Sequence, residues 1–320
     1  MIDEELEREI KTLNELAWED RVPSKSLFDW LSNFSDAGFP INEDIQKSYA
    51  LFLLSRFMYF GDREIRELLK CLYRDLYRYT LIASIRRKNS NTIDEALIES
   101  EFTNERCNTR FLGIGNPSES GSHLLYYFRQ ENRLPKSLFI HSHEIFSRSS
   151  GGLRSPQEIK LANPNVRRYV FIDDLCASGG QVRSYATSLI DLIRNLDPDV
   201  EMHYFALFGN PDALESIQRD VGFNSARSVM ELDSTFKAFA SNSRIFEPPN
   251  AKYPKNAIKQ LSEYYGQKLE PMQPLGFGDC QYMLGFHHNT PDNSLPIFWY
   301  DESPDRSWFP IFRRYPKIYA

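Results

Sequence analysis

The segment Val170–Gln181, with the sequence VFIDDLCASGGQ, constrains the fold of this chain more than any other stretch. Its apolar start predicts a short buried strand, and two carboxylates, Asp173 and Asp174, follow where that strand would leave its sheet. The small residues Ala177–Gly180 come next, and a pattern of helical period begins directly after them. The order of strand, acidic pair, small-residue turn and helix is typical of a ligand-binding loop in an α/β protein.

The small-residue turn has the chemistry of a phosphate site. Small side chains let backbone N–H groups surround a phosphate, and the start of a helix adds partial positive charge at the same place. Ser178 contributes a hydroxyl donor, while Asp173 and Asp174 lie one loop-length away. Adjacent carboxylates suit the vicinal hydroxyls of a sugar, because each accepts an O–H with charge assistance. The segment therefore predicts a binding site for a ribose 5-phosphate.

A structural interpretation of the same residues stays open. In it the acidic pair only caps the helix, and the glycines only form a tight turn. A capping Asp stands immediately before its helix, whereas five or six residues separate the pair Asp173-Asp174 from the predicted helix start. The spacing therefore favours the binding interpretation.

Strands and helices alternate between residues 106 and 245. Runs of apolar residues bounded by turn signals predict strands at Phe111–Ile114, Ser137–His141, Tyr169–Ile172, Val200–Phe208 and Arg227–Leu232. Such alternation predicts an α/β fold with a parallel sheet flanked by helices. In sheets of this kind ligands lie at the carboxyl ends of the strands, where the loops 115–121 and 173–180 are expected.

The segments before and after this core have different patterns. Residues 1–105 are predicted to form a helical N-terminal region, with one of its helices over Ile41–Phe60. Residues 246–320 carry many prolines, turn signals and aromatic side chains, which predicts an irregular aromatic-rich cap with one or two short strands. We therefore expect three parts: 1–105, 106–245 and a C-terminal cap, 246–320, that completes the site.

Composition and charge place the chain among globular proteins. Apolar residues make up 41% and charged residues 26% of the chain, so a packed core is expected. The formal net charge of −6 argues against a protein whose main task is to grip nucleic acid. The four cysteines match no zinc-binding spacing, and the first residues, MIDEELEREI, do not have the pattern of a signal peptide. We therefore expect a cytoplasmic protein with reduced thiols that does not enter a membrane.

The segment Val170–Gln181 resembles the PRPP-binding signature of the type I phosphoribosyltransferases. Its apolar start, the pair Asp173-Asp174 and the run Ala177, Ser178, Gly179 match that signature, whereas Gln181 stands where the family usually has a hydroxyl. The resemblance implies that the acidic pair holds the ribose hydroxyls and that Ala177–Gln181 hold the 5′-phosphate. It implies Mg²⁺ bound through PRPP as cofactor. It also implies a glycosyl transfer in which pyrophosphate is displaced. Asp173 or Asp174 could take the proton of the acceptor as a catalytic base, although ribose binding is the favoured role of both.

The same family has loops that hold pyrophosphate, and two segments correspond to them by position alone. The first is the loop that follows the first core strand, and from it we select Gly115, Asn116, Pro117 and Ser118. The second is the polar segment before the signature strand, RSSGGLR, where Arg148 and Arg154 are available to neutralise pyrophosphate. An ordinary surface loop remains the alternative for each segment.

The chain as a whole resembles a group of bacterial phosphoribosyltransferase-like proteins found in conflict systems, including phage-defence and retron-associated loci. Its helical N-terminus, the segment NPSESG and the ending GFGDCQYMLGFHHNTPDNSLPIFW carry this resemblance. It implies an antiviral effector whose acceptor is a base, a nucleotide, a nucleic-acid end or water. Two alternatives stay open: an inactive PRPP or nucleotide sensor, and a module whose N-terminal helices dock on a protein or ribonucleoprotein partner.

Some further polar residues are weaker candidates for function. His141 and His143 leave a predicted strand end, and His287 and His288 are adjacent in the C-terminal segment; ordinary polar or packing roles are favoured for all of them. Turn formation is similarly favoured for the possible acceptor-binding residues Asp279, Asn289 and Asp292. Cys176 lies inside the binding loop, where its modification would block binding, but a nucleophilic role is not expected.

Overall fold

A computed structural model of the chain describes residues 4–116, 120–148, 158–301 and 308–315. The chain forms two compact units. Residues 66–232 make up the sheet unit, and residues 1–65 together with 233–320 make up the terminal unit. The helices between residues 66 and 107 thus belong to the unit that holds the parallel sheet, and the division at residues 105 and 245 stays a prediction.

The secondary structure follows the predicted alternation closely. The helices are α1 (Glu4–Leu16), α2 (Ser24–Ser32), α3 (Glu43–Leu54), α4 (Asp62–Cys71), α5 (Tyr79–Lys88), α6 (Glu95–Cys107), α7 (Ser120–Glu131), α8 (Gly180–Leu196), α9 (Pro211–Val221), α10 (Lys255–Leu269) and α11 (Pro296–Trp299). The strands are β1 (Met58–Phe60), β2 (Thr109–Gly113), β3 (Phe146–Arg148), β4 (Ile159–Leu161), β5 (Arg168–Cys176), β6 (Glu201–Gly209), β7 (Ser225–Glu231) and β8 (Leu284–Phe286). A π-helical stretch, Leu72–Arg78, joins α4 to α5. Within the described ranges, no helix is both long and apolar enough to cross a bilayer.

The sheet unit is built on a parallel sheet in the order β2-β5-β6-β7. Val170 and Ile172 in β5 are fully buried, as expected for a central strand that is covered on both faces. Helices α8 and α9 pack on one face of this sheet, against a cluster that includes Phe171 and Tyr204. Helix α7 packs against β2 and β5, and the ring centroids of Phe111 and Phe128 lie 5.2 Å apart. The predicted α/β fold, a parallel sheet flanked by helices, is confirmed.

One predicted strand of the sheet unit is almost absent. Instead of a strand over Ser137–His141, the chain forms a 3₁₀ turn at Lys136–Leu138, and only Phe139 makes a bridge, to Phe111 of β2. Pro135 immediately precedes the turn with φ near −60°, a geometry that favours a turn over an extended strand. The apolar run is therefore buried beside the sheet with little strand pairing.

A second difference lies in the terminal unit. The predicted helix over Ile41–Phe60 ends at Leu54, and Met58–Phe60 instead form β1. Strand β1 pairs in parallel with β8, far away in the sequence, with Tyr59 opposite Gly285. The helical spacing of these apolar residues was misleading because pairing with a distant strand overrides local preference.

The terminal unit is held together by an aromatic core. Trp30 of α2 is fully buried, its indole N–H donates to the Ile297 carbonyl at 2.8 Å, and its ring stacks on Phe298 at 5.8 Å. Phe34, two residues after the end of α2, packs against the C-terminal segment as well, with its ring centroid 5.4 Å from that of Trp308. The first and last segments of the chain therefore share a single hydrophobic core.

Replacement of Trp30 by Ala is expected to lower the free energy of unfolding by about 3–5 kcal/mol, because it leaves a large cavity and removes the indole donor. Urea unfolding followed by circular dichroism would measure the change. Phe28→Ala is the matched control: Phe28 lies in the same helix but is 73% exposed, so a change within about 0.5 kcal/mol is expected. Equal effects of the two substitutions would contradict the proposed core.

Candidate functional site

The acidic pair lies at the carboxyl end of β5, as the sequence predicts. Asp173 and Asp174 are consecutive strand residues, so their side chains point to opposite faces of the sheet. Asp173 is only 4% exposed, whereas Asp174 is partly exposed. The two carboxylates therefore have different environments, and Asp174 is the more accessible to a ligand.

The carboxylate of Asp173 is held by two described hydrogen bonds. The Tyr204 hydroxyl donates to its Oδ2 at 2.9 Å, and the Asp174 backbone N–H donates to its Oδ1 at 3.0 Å. Burial, followed by the charge of Asp173, raises the pKa of Tyr204 well above its ordinary value, so the phenol keeps its proton and remains a donor. This pairing fixes the backbone at the point where β5 leaves the sheet.

Tyr204 was not singled out in the sequence, although a signal existed. It lies in β6, whose sequence MHYFALF is otherwise mostly apolar, and a buried tyrosine hydroxyl usually finds a polar partner. The register of β5 and β6 places Tyr204 opposite Phe171, two residues before Asp173 and on the same face. Only this register, which the sequence does not specify, identifies Asp173 as the partner.

The small-residue turn has the geometry that a phosphate site requires. Gly179 adopts φ = 72°, in the left-handed region, and caps the start of α8. A Cβ at this position would lie 2.5 Å from Cγ2 of Ile217, so space as well as backbone conformation demands glycine. Ser178, Gly180 and Gln181 are all exposed. The Gly180 N–H donates to the Ser178 hydroxyl oxygen at 3.4 Å, and this bond holds the hydroxyl at the exposed start of α8, where the helix dipole is positive.

Arg183, which the sequence did not point to, braces this turn from α8. Its guanidinium donates to the Ser178 carbonyl at 3.0 Å and also to the Ser216 hydroxyl. Its Nε lies 3.6 Å from a carboxylate oxygen of Asp220 in α9. The turn is thereby fixed to two helices, which reduces the ordering needed when a ligand binds.

Cys176 lies inside the loop but is not accessible. Its side chain is 1% exposed, and its carbonyl accepts the Asn210 N–H at 2.8 Å. Burial, with a smaller contribution from the charge of Asp173, raises the pKa of the Cys176 thiol to about 12. The thiol is therefore neutral at physiological pH and serves in packing.

The first of the two predicted pyrophosphate segments starts at the same edge of the sheet. Gly113 of β2 lies opposite Ile172 of β5, and the Ile114 N–H donates to the Ile172 carbonyl at 3.1 Å. Gly115 and Asn116 thus leave the sheet beside the acidic pair. The other predicted residues of this loop, Pro117 and Ser118, lie outside the described residues.

The second pyrophosphate segment is described only at its start. Arg148 ends β3 and is exposed, and Arg154 lies outside the described residues. Within the described ranges, Arg148 makes no hydrogen bond or ion pair with the Asp173–Gln181 loop or with Gly115 and Asn116. A contribution of these arginines to pyrophosphate binding stays a prediction.

The weaker candidates have structural contacts. The His141 backbone N–H donates to Oε2 of Glu144 at 2.7 Å, its carbonyl accepts the Glu144 N–H at 2.9 Å, and the His143 ring lies parallel to that of His141 at 5.7 Å. Asp292 pairs with Arg314 at 2.8 Å. Other polar contacts that join loops are those of Asp279 with Lys237, Asn289 with the Tyr315 N–H, and His287 with Asp62. No group of three or more His, Cys, Asp or Glu residues in the described part of the chain is arranged to hold a metal ion.

One comparison with known proteins, the match to a family model, identifies the family of the chain. The family model PRTase-CE matches residues 27–314, a range that includes the Asp173–Gln181 loop and parts of both compact units. A search of curated proteins found no match. Among solved structures, the chain is similar to the Helicobacter pylori xanthine-guanine-hypoxanthine phosphoribosyltransferase, with 8% identity and a TM-score of 0.28 over 54% of this chain and 85% of that one.

Replacement of Tyr204 by Phe is expected to destabilise the protein by about 1–3 kcal/mol, because the buried Asp173 carboxylate loses a hydrogen-bond donor. Urea unfolding at neutral pH would measure the change. The matched control is Tyr126→Phe, because Tyr126 is 56% exposed and the same change there is expected to have little effect. A Tyr204→Phe protein as stable as the parent would show that the hydroxyl does not hold Asp173.

Cys176 is expected to resist alkylation in the folded protein. At pH 8 a pKa of about 12 gives a thiolate fraction roughly a thousandfold below that of a thiol of ordinary pKa, about 8.5. Burial favours the neutral thiol, so the pKa of Cys176 is higher in the folded protein than in the unfolded chain. The stability that Cys176 contributes is therefore complete below the pKa of the unfolded chain, and it is lost as the pH rises toward the pKa of the folded protein. Iodoacetamide labelling with mass spectrometry is expected to modify the exposed Cys107 well before Cys176. Equally fast labelling would refute the assignment.

Proposed function

Because this chain belongs to the PRTase-CE family, we propose that it is a phosphoribosyltransferase that binds PRPP in the Asp173–Gln181 loop and displaces its pyrophosphate. One observation carries the proposal: a partly exposed carboxylate and a glycine-capped helix start lie in a single loop at the carboxyl end of a central parallel strand. The acidic part suits a diol, and the helix start suits a phosphate.

In this proposal the two carboxylates have different roles. Asp174 is the accessible member and accepts hydrogen bonds from the ribose hydroxyls. Asp173 is buried, held by Tyr204, and fixes Asp174 through the backbone N–H that its Oδ1 accepts. Fixed acceptors favour binding because less conformational freedom is lost when the sugar arrives.

The 5′-phosphate lies against the turn Ala177–Gln181. The Ser178 hydroxyl, positioned by the bond from the Gly180 N–H to its oxygen, and the Gln181 backbone N–H are the donors, and the dipole of α8 adds partial positive charge. Gln181 replaces the hydroxyl residue that is usual in type I phosphoribosyltransferases, and its amide is also a donor. The turn therefore retains the donors that a phosphate requires.

The pyrophosphate lies toward Gly115 and Asn116, at the edge of the sheet that β2 and β5 share. Oxygen donors suit Mg²⁺, which usually keeps several waters and is bound through one or two carboxylates plus substrate phosphates. Here PRPP itself would hold Mg²⁺, since in the described part of the chain no group of three or more His, Cys, Asp or Glu residues is arranged to hold a metal ion. Bound with PRPP, Mg²⁺ would neutralise charge on the leaving pyrophosphate.

The reaction is a displacement at the anomeric carbon of the ribose. The bond from that carbon to the pyrophosphate oxygen breaks with its electron pair, and a bond to the acceptor nucleophile forms. The proton that the acceptor loses passes to Asp174, the carboxylate that solvent reaches. The chain contributes mainly by holding the reacting groups in position and by stabilising charge.

We extend the proposal to the biological role of the protein. The resemblance to conflict-system proteins supports an effector in bacterial anti-phage defence, of the retron type or similar. An acceptor that is a base, a nucleotide or a nucleic-acid end fits that role, because modification of such a molecule would interfere with phage replication.

A second candidate function is a PRPP sensor that binds without turnover. The deep burial of Asp173, together with Gln181 at a position where the family usually has a hydroxyl, favours this alternative. It differs from the first proposal in a single measurable respect. A sensor binds PRPP but releases no pyrophosphate with any acceptor.

Replacement of Asp174 by Asn is expected to weaken binding of PRPP in the presence of Mg²⁺ by about 10- to 100-fold, which corresponds to the loss of a hydrogen bond to a charged group. Isothermal titration calorimetry would measure the change. Asp191→Asn is the matched control, because Asp191 is an exposed carboxylate further along α8 and its loss should leave the affinity unchanged. Unchanged affinity of the Asp174→Asn protein would refute the proposed site.

Turnover is tested separately from binding. The protein is incubated with Mg²⁺, PRPP and a panel of bases, nucleotides and nucleic acids, and pyrophosphate and product masses are followed. Pyrophosphate release that the Asp174→Asn protein lacks supports the transferase. Tight PRPP binding without release under every condition supports the sensor instead.

A further inference from the structure

The terminal unit contains a cavity at the carboxyl ends of its two parallel strands. Strands β1 and β8 end side by side at Phe60 and Phe286, and the His287 N–H donates to the Phe60 carbonyl at 2.9 Å. A cavity of about 320 Å³ opens at this edge. Its lining belongs entirely to residues 21–59 and 286–315, so it is a different place from the Asp173–Gln181 loop of the sheet unit.

Arg21 lines this cavity, and hydrogen bonds hold its positively charged guanidinium in one orientation. Its Nε–H donates to the Tyr59 hydroxyl at 3.0 Å, and its Nη2 donates to the His287 carbonyl at 2.7 Å. These bonds orient the guanidinium and leave its Nη1 donors for a ligand. Tyr59, with smaller contributions that include the charge of Glu19, raises the pKa of Arg21, so the guanidinium stays positively charged.

A second arginine and an acidic residue also line the cavity. The side chain of Arg313 is 69% exposed, and its Nε lies 3.6 Å from a carboxylate oxygen of Asp301. Asp29 is the carboxylate of the lining. With Asp301 beside Arg313, the two guanidinium groups face two carboxylates, so the argument for an anion rests on their hydrogen-bond donors and not on an excess of positive charge. The planar fork of donors on a guanidinium suits two neighbouring oxygen acceptors, such as those of a phosphate.

Aromatic rings form much of the remaining wall. The Tyr59 and Phe312 rings are stacked with centroids 5.3 Å apart, and both side chains are buried. Phe309 and Tyr315 also line the cavity but are 47% and 68% exposed. Exposed rings beside the guanidinium groups of Arg21 and Arg313 offer stacking surface for a flat, polar ring such as a nucleobase.

From this arrangement we propose that the terminal unit binds a nucleoside 5′-phosphate, with the phosphate on Arg21 and Arg313 and the base against Phe309 or Tyr315. The cavity volume lies within the range of small-molecule sites, about 300–1,000 Å³. The site is additional to the PRPP site and does not depend on phosphoribosyl transfer. The ligand is either a free mononucleotide or the 5′-phosphorylated end of a nucleic acid, which present the same chemistry.

The test uses the full chain with Asp174→Asn, so that binding in the proposed PRPP loop is weakened. AMP, GMP, CMP, UMP and a 5′-phosphorylated dinucleotide are each titrated by calorimetry. One molar equivalent of at least one of them is expected to bind. Arg21→Gln is expected to weaken that binding by about 10-fold or more, as for loss of a charge-assisted hydrogen bond.

Arg313→Gln provides a second variant that does not depend on a buried contact, and it is expected to weaken binding by about 3- to 10-fold. Arg8→Gln is the matched control, since Arg8 is an exposed arginine of α1 outside the cavity. Circular dichroism verifies that each variant is folded. Preference for the mononucleotides or for the dinucleotide identifies the source of the phosphate.

Two results would overturn the proposal: no binding of any of these probes, or binding that both Arg21→Gln and Arg313→Gln leave unchanged. Titration of PRPP into Arg21→Gln in an otherwise unchanged chain separates the two sites. If the Arg21→Gln protein still binds PRPP with the parent affinity, its weaker binding of the mononucleotides is due to the cavity and not to the PRPP loop. If the parent protein does not bind PRPP at all, that result contradicts the proposed transferase and leaves the nucleotide site of the terminal unit unaffected.

Discussion

The parallel alignment of β2, β5 and β6 is the constraint on which the candidate site depends. Parallel strands end at the same edge of a sheet, so residues that are far apart along the chain leave the sheet beside one another. For this reason Gly113, the last residue of β2, lies opposite Ile172, directly before the acidic pair of β5. The register between β5 and β6 adds Tyr204, which reaches the Asp173 carboxylate from within the core.

The burial of the Asp173 carboxylate is unfavourable in free energy, and the surrounding contacts show how it is compensated. Asp173 is nearly inaccessible, and taking its charge out of water is unfavourable unless hydrogen bonds compensate. The Tyr204 hydroxyl and the Asp174 N–H supply such bonds, and both also fix the geometry of the strand end. The arrangement therefore holds a charged, rigid strand end beside the exposed turn Ala177–Gln181, and preorganisation of this kind is what the proposed binding site requires.

The sequence predicted the local parts of this structure and missed the contacts that depend on pairing. The order of strand, acidic pair, turn and helix in Val170–Gln181 is local, so it could be identified directly, and the alternation of strands and helices indicated the fold. Tyr204 and Arg183 act on the loop from other positions in the fold, and nothing near them in sequence reveals their partners. Strand β1 was misassigned for the same reason, since its partner β8 lies more than two hundred residues away.

The shared aromatic core of the terminal unit determines how a docking role of the N-terminal helices can be tested. Trp30 packs against Ile297 and Phe298, so deletion of the first helices would expose the core that they share with the C-terminal segment. Loss of partner binding after such a deletion would therefore report unfolding as readily as docking. Leu16 and Phe28 are 82% and 73% exposed, so their replacement changes the surface while the core stays intact. Surface substitutions of this kind, rather than truncation, can distinguish a docking module from an enzyme whose N-terminal helices only complete its fold.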